Sequence, residues 1–223
     1  MLLNFFVHNW WAILFFNFKM LPFKQAIRLP FDFYGRVRMV NLKGKVCLNT
    51  DRVFPGMIKL GSQGRDMFPT NPVILDIRGN LKFNGSFYIG CGSTIRIEPN
   101  AVLSFGENSR IGANSIVFCE DKIQIGNNVE MSWNIQLMDT DRHEIKDIET
   151  NQVTPSHAPI MIGDNVWVGN HVSFNKGCYI PGDTIIASNS LCNKDYCNIP
   201  SYSVIGGLPA KLIGKNKARV WER

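Results

Sequence analysis

From residue 162 the chain falls into blocks of six: IGDNVW, VGNHVS, FNKGCY, IPGDTI, IASNSL, CNKDYC and, after one extra residue, IPSYSV and IGGLPA. An apolar side chain opens each block: Ile162, Val168, Phe174, Ile180, Ile186, Cys192, Ile199 and Ile205. The fifth place of the first five is small or β-branched: Val166, Val172, Cys178, Thr184 and Ser190. Gly, Asn and Asp populate the places between. A period of six matches neither the 3.6 of a helix nor the plain alternation of a strand. It suits a chain that makes a short strand, turns a corner and repeats. Three such sides make one coil of a prism, with the aliphatic residues inside, stacked at the usual strand spacing of about 4.8 Å. Gly, Asn and Asp take the corners because they tolerate positive φ most cheaply.

The same grammar runs upstream. IGANSI at 111 and VFCEDK at 117 are in frame; after a two-residue shift come IGNNVE at 125, MSWNIQ at 131 and LMDTDR at 137. Ile89 and Ile95 carry the pattern back, and GKVCLNT from Gly44 reads as its first strand. The fold expected is all-β, a parallel β-helix over residues 44–206. Residues 1–43 form an aromatic and basic N-terminal segment, and 207–223 a tail ending in a short helix. Between Leu137 and Ile162 the blocks stop, and an excursion loop at about 142–161 leaves the coil.

Composition adds boundaries. Hydrophobic residues at 45% and charged ones at 19% describe a globular chain. The net charge of +6 comes with basic residues crowding both ends, a field favouring anionic partners in general; no nucleic-acid partner is expected. Six cysteines show no CxxC pair, which fits reduced thiols and a cytoplasmic setting. The opening MLLNFFVHNWWAILFFNF lacks the marks of a signal peptide. As a helix it places Asn4 and His8 on one face and leaves a wide apolar surface. That surface is expected to pack on the protein's own body, with peripheral contact at the inner membrane face through residues 1–23 as the second possibility.

Candidate chemistry centres on MDTDRHEI, residues 138–145, with two aspartates and one of the four histidines of the chain. A histidine near neutral pKa suits proton removal from a hydroxyl. Asp141, Asp139 or a backbone carbonyl could orient its ring. No serine or cysteine carries a nucleophile signature, so a direct attack is preferred to a covalent intermediate. Local sequence alone would leave His143 a loop residue.

The blocks, with IGDNVWVG followed by GLPAKLIG, resemble the hexapeptide-repeat acyltransferases, whose fold is a left-handed parallel β-helix. The resemblance covers residues 44–213 and is strongest to the maltose and galactoside acetyltransferase branch, while the N-terminus looks like acyltransferases of bacterial polysaccharide biosynthesis. It implies His143 as the general base, Asn134 and Trp133 at the acceptor, and Trp167, Gly169, Asn170, Ser188, Lys194, Pro209 and Lys211 along the acetyl-CoA channel. It also implies a homotrimer with sites between neighbouring subunits, acetyl-CoA as co-substrate and no metal. HE stands at 143–144 where that branch carries HP. Carbonic anhydrases on the same β-helix bind zinc with two histidines five residues apart, whereas His143, His157 and His171 are spaced by fourteen. The function expected is O-acetyl transfer to a sugar hydroxyl of a surface-polysaccharide precursor. N-acylation of an amino sugar and a non-catalytic scaffold stay open, as do the sugar, the acyl length, which aspartate orients the ring, and the role of the aromatic N-terminus.

Overall fold

The computed structural model describes residues 7–220. The chain winds through three sheets of nine, seven and six strands, parallel but for the last strand of the nine, visiting each once per coil. Inward side chains stack from coil to coil. On the nine-stranded side Ile89, Ile111, Met131, Val168, Ile186 and Ile205 are register partners in turn. On the seven-stranded side Ile95, Val117, Leu137, Phe174 and Cys192 do the same. On the third, Phe105, Ile125, Ile162 and Ile180 follow one another. All are buried, each contributing roughly 1.5–3 kcal/mol of burial free energy.

The corners use the left-handed region repeatedly. Asn108, Asn128, Asn165 and Asp183 at one edge, and Asn114, Asn134, His171 and Asn189 at another, have φ between 54° and 58°. Their side chains bond along the stack, Asn128 Nδ2 to Asn165 Oδ1 and Asn165 Nδ2 to Asp183 Oδ1, both at 3.1 Å. The corner side chain therefore satisfies its neighbour's polar group as well as tolerating the backbone.

Two boundaries differ from expectation. The coil begins before Gly44: Phe31–Phe33 pairs in parallel with Ile58–Gln63, and Val37–Leu42 with Val73–Ile77. These strands are aromatic and irregular, without the six-residue grammar, so periodicity passes over them. The tail also differs, for among residues 207–220 there is no helix. Lys211–Gly214 instead pairs antiparallel with Val204–Gly206. The last parallel strand would otherwise leave an open edge, and the returning tail closes it.

Helix α1 (Trp10–Met20) and the single turn α2 (Phe23–Ala26) cover the first coil. The Asn9 side chain caps α1 by accepting from the Ala12 amide. Ala12, Ile13, Phe16 and Asn17 face inward, with the Phe16 ring 4.8 Å from Phe31 and 5.3 Å from Phe33. Buried Asn17 donates to the carbonyls of Ile13 and Phe31 at 2.8 and 2.9 Å and accepts from the Phe31 amide at 3.1 Å. His8 Nδ1 meets Asp32 Oδ1 at 2.8 Å; Asn4, expected on the same face, lies outside the described residues. No described helix is long and apolar enough to cross a membrane.

Truncating Asn17 to Ala would leave two buried backbone groups of Phe31 without partners. We expect a loss of about 2–4 kcal/mol in urea denaturation and faster amide exchange across residues 10–20.

Candidate functional site

The seven-stranded side reaches a corner after Gln136–Met138, and there the coil opens. Thr140 pairs antiparallel with His157, the Asp141 amide donates to the Ser156 carbonyl at 2.8 Å, and Ala158 donates to the Asp139 carbonyl at 3.0 Å. Between these clasps the excursion is a two-stranded arm, Ile145–Lys146 against Val153–Thr154, with every residue from 141 to 155 exposed. Arg142 turns the chain outward with φ of 62°, its amide on Thr140 Oγ1 at 2.8 Å. Its guanidinium lies 4.9 Å from the Phe118 ring centroid and 3.9 Å from Glu98. The residue after this anchored turn is His143, at the root of the arm and open to solvent. Its imidazole has no hydrogen bond from the described residues.

The two aspartates beside it are occupied elsewhere. Asp139 was a candidate to orient the imidazole, but its side chain is buried. Its oxygens accept from the amides of Glu120 and Asp121 at 2.7 and 2.9 Å, with Cys119 Sγ at 3.6 Å. It thus ties its coil to the corner of the preceding one. Burial raises its pKa above the ordinary carboxylate value, against the lowering effect of the amides of Glu120, Asp121 and Lys122. The carboxylate of Asp141 stays near the surface and pairs with Lys176 Nζ at 2.8 Å, while the same ammonium donates to the Pro155 carbonyl at 2.5 Å. Lys176 thereby staples both legs of the arm.

A second set of expected residues gathers at the other end of Gln136–Met138. Asn134 Nδ2 lies 3.1 Å from His171 Nε2, and His171 donates its amide to the Trp133 carbonyl at 3.1 Å. In the adjoining position Ser188 Oγ donates to Asn170 Oδ1 at 2.6 Å. Gly169 must be glycine there, since a Cβ would stand 2.6 Å from the backbone and hydroxyl of Ser188. Trp133 stands 6.1 Å from Phe68, and both line a cavity of about 280 Å³ with Met67, Arg110, Glu130 and Ser132. Within this chain the strand separates this corner from His143, so the two sets occupy different edges of the prism.

The remaining expected residues sit at the last coils. Lys194 is exposed, its Nζ 5.4 Å from the Tyr196 ring centroid. Pro209 belongs to the crossing segment Gly207–Ala210, held by Ala210 donating to Leu191 O at 2.8 Å; exposed Lys211 begins the antiparallel strand. Trp167 projects from the nine-stranded side beneath Arg219, whose guanidinium lies 5.3 Å from the indole centroid and pairs with Glu130, itself held by Arg110. Sequence reading missed this strap, along with the Arg142 anchor and the Asn134–His171 pair. The last had a visible signal, since Asn134 and His171 hold matching places in their blocks.

Stacked parallel strands on three sides, in-register hexads and an arm leaving one corner make a left-handed parallel β-helix, the fold of the solved acetyltransferases to which the chain is similar. No family model matches the chain. Among curated proteins it is similar to the galactoside O-acetyltransferase of Escherichia coli K12, with 33% identity over 128 residues, 55% of this chain and 61% of the relative. A putative lipopolysaccharide biosynthesis O-acetyl transferase of the same organism is 23% identical over 155 residues, 65% of this chain and 78% of the relative. A polysialic acid O-acetyltransferase of E. coli O1:K1 is 30% identical over 148 residues, 66% of this chain and 44% of the relative. The chain therefore spans less than two thirds of two of these three relatives. Among solved structures, the polySia-specific acetyltransferase NeuO superposes with TM-score 0.50 at 25% identity, over 86% of this chain and 78% of that one. The polysialic acid O-acetyltransferase OatWY gives 0.51 at 16% identity, over 85% of this chain and 93% of that one; this second likeness concerns the fold alone.

Asp139→Ala should cost about 2–4 kcal/mol in chemical denaturation, because the buried corner amides lose their acceptor. Linkage gives the sign of the pH effect. With the folded pKa above the unfolded one, the native state holds more proton in that window. Stability from this group then falls as pH rises from the ordinary carboxylate range through the raised value. Asp139→Asn should remove that slope from a stability profile across acidic pH.

Proposed function

We propose that the protein is an acetyl-CoA-dependent O-acetyltransferase acting on a sugar hydroxyl, with His143 as general base. The observation that carries this reading is a solvent-open imidazole with no hydrogen-bond partner among the described residues, set at the root of an arm whose both legs are fixed. Similarity to curated O-acetyltransferases of galactosides and polysialic acid supports the reaction class and a carbohydrate acceptor.

An alcohol becomes an adequate nucleophile when its proton is taken as it attacks. His143 would remove that proton while the acceptor oxygen bonds to the thioester carbon. Collapse of the tetrahedral intermediate breaks the carbon–sulfur bond, and the departing thiolate takes the proton back from the imidazolium. Exposed Lys194 and Lys211 suit the phosphates of coenzyme A. The backbone around Gly169, Asn170 and Ser188 with the face of Trp167 suits the pantetheine arm, and Pro209 closes that end. Trp133 and Asn134 suit the acceptor.

Because Asn134 and His143 sit on different edges of a protomer, a complete site requires a neighbour, and we assign a homotrimer with sites in the clefts between β-helices. The arm, with Ile145, Ile148 and Val153 exposed, has the character of a subunit contact. Six free cysteines fit a cytoplasmic setting, where precursors of a surface polysaccharide would be modified.

His143→Ala should lower turnover by about 10²–10⁴ with sedimentation unchanged, read as thiol release from acetyl-CoA over a panel of sugar acceptors. A rate equal to the parent enzyme would remove His143 from the role of base.

A further inference from the structure

Helix α1 carries large apolar side chains on both sides, yet the fold covers only one of them. Opposite the buried residues, Trp11, Leu14, Phe15 and Phe18 fall at i, i+3, i+4 and i+7 and are 41–70% exposed. The Trp11 and Phe15 rings stack at 4.9 Å, and the Phe18 and Phe23 rings lie 6.2 Å apart. The strip therefore continues onto α2, where Phe23 and Ile27 are also exposed. A helix resting on a water-soluble domain normally turns polar residues outward, and a contiguous apolar strip of this kind marks a contact surface.

Charge identifies what it contacts. Exposed Lys19, Lys24 and Arg28 border the strip, and the first acidic residue of the chain is Asp32, which is buried against His8. Residues 1–60 hold nine of the 24 lysines and arginines and two of the 18 acids, while the rest of the chain holds fifteen against sixteen. The whole positive excess thus lies in the part of the chain that forms α1, α2 and the first coil. A second copy docking face to face would bring two such fields together and be repelled. Aromatic rings rimmed by lysine and arginine are instead the composition of a helix lying in a lipid headgroup region.

We propose that this face docks the protein on an anionic lipid bilayer, with α1 parallel to the surface. The rings of Trp11, Phe15, Phe18 and Phe23 enter the headgroup–acyl boundary, and Lys19, Lys24 and Arg28 meet the headgroups. At eleven residues, α1 is about 16 Å long, too short to span. Its bonds through Asn17 and Asn9 hold it flat on the coil. Docking needs no acyl donor or acceptor, so it is measured separately from the proposed reaction.

Co-sedimentation of the full chain with vesicles tests it. We expect binding to mixed phosphatidylcholine–phosphatidylglycerol vesicles, about tenfold weaker binding to phosphatidylcholine alone, and release by high salt. Phe15→Asp/Phe18→Asp should abolish binding, and Lys19→Glu/Lys24→Glu should weaken it about tenfold, each with unchanged circular dichroism and sedimentation coefficient without lipid. Three results overturn the proposal: the parent protein staying in the supernatant, the variants binding as well as the parent, or the Phe15/Phe18 variant breaking an oligomer, which would make the strip a subunit contact.

Discussion

The register between one coil and the next governs everything else in this molecule. Each inward side chain meets its equivalent one strand spacing away, as Met131 meets Ile111 on one side and Val168 on the other. A slip by one residue would turn every aliphatic group outward and every polar group in. The cost would repeat at each coil, so register is held far more strongly than any single contact suggests. One consequence is positional: a residue's place in its hexad fixes which edge of the prism it occupies. Asn134 and His171 meet because they hold the same place in blocks one coil apart. The legs of the arm are equally bound to their corner, since Asp139 ties that corner to the coil before it.

This explains which parts of the fold were legible. Where the blocks are regular, from Ile162 to Cys192, identity and spacing together determine side, depth and corner. The β-helix and the small inward cysteines Cys178 and Cys192 could be read directly, and both are buried. The first coils were not legible, because their core is built from bulky rings, Phe31, Phe83, Phe87 and Phe105, packed at 4.0–5.6 Å. Rings of that size fill a wider cross-section and relax the repeat. The terminal strand was hidden for another reason. Antiparallel pairing at an edge asks only for free backbone, and Leu212 and Ile213 remain exposed.

The site was half legible. His143 could be singled out by its position before the arm, but sequence left open which aspartate faces it, and Asp139 lies buried at the corner. Its burial had a trace: the repeat shifts by two residues after VFCEDK, and the lengthened corner that results leaves amides of residues 120–122 in need of an acceptor. A carboxylate one coil on supplies it. Arg142 could not be foreseen, because its partners Phe118 and Glu98 come from earlier coils, and only the winding brings them under the arm.

A proposed base to whose ring the described residues offer no carboxylate calls for a different source of order. In a hydrolase-type triad the acid both fixes the tautomer and holds the ring. Here the backbone does the holding. Thr140 and Arg142 make a closed turn, Arg142 is pinned by a ring and a carboxylate, and Lys176 bonds both legs. The Cα–Cβ direction of His143 is thereby set before any substrate arrives, leaving the side-chain torsions to be settled. Fixing two torsions costs on the order of 1 kcal/mol, which a hydrogen bond from a neighbouring subunit or from the acceptor hydroxyl itself can supply. On the proposed reading, the imidazole becomes fully ordered only in the assembled cleft, and an isolated protomer would carry every residue of the site without forming it.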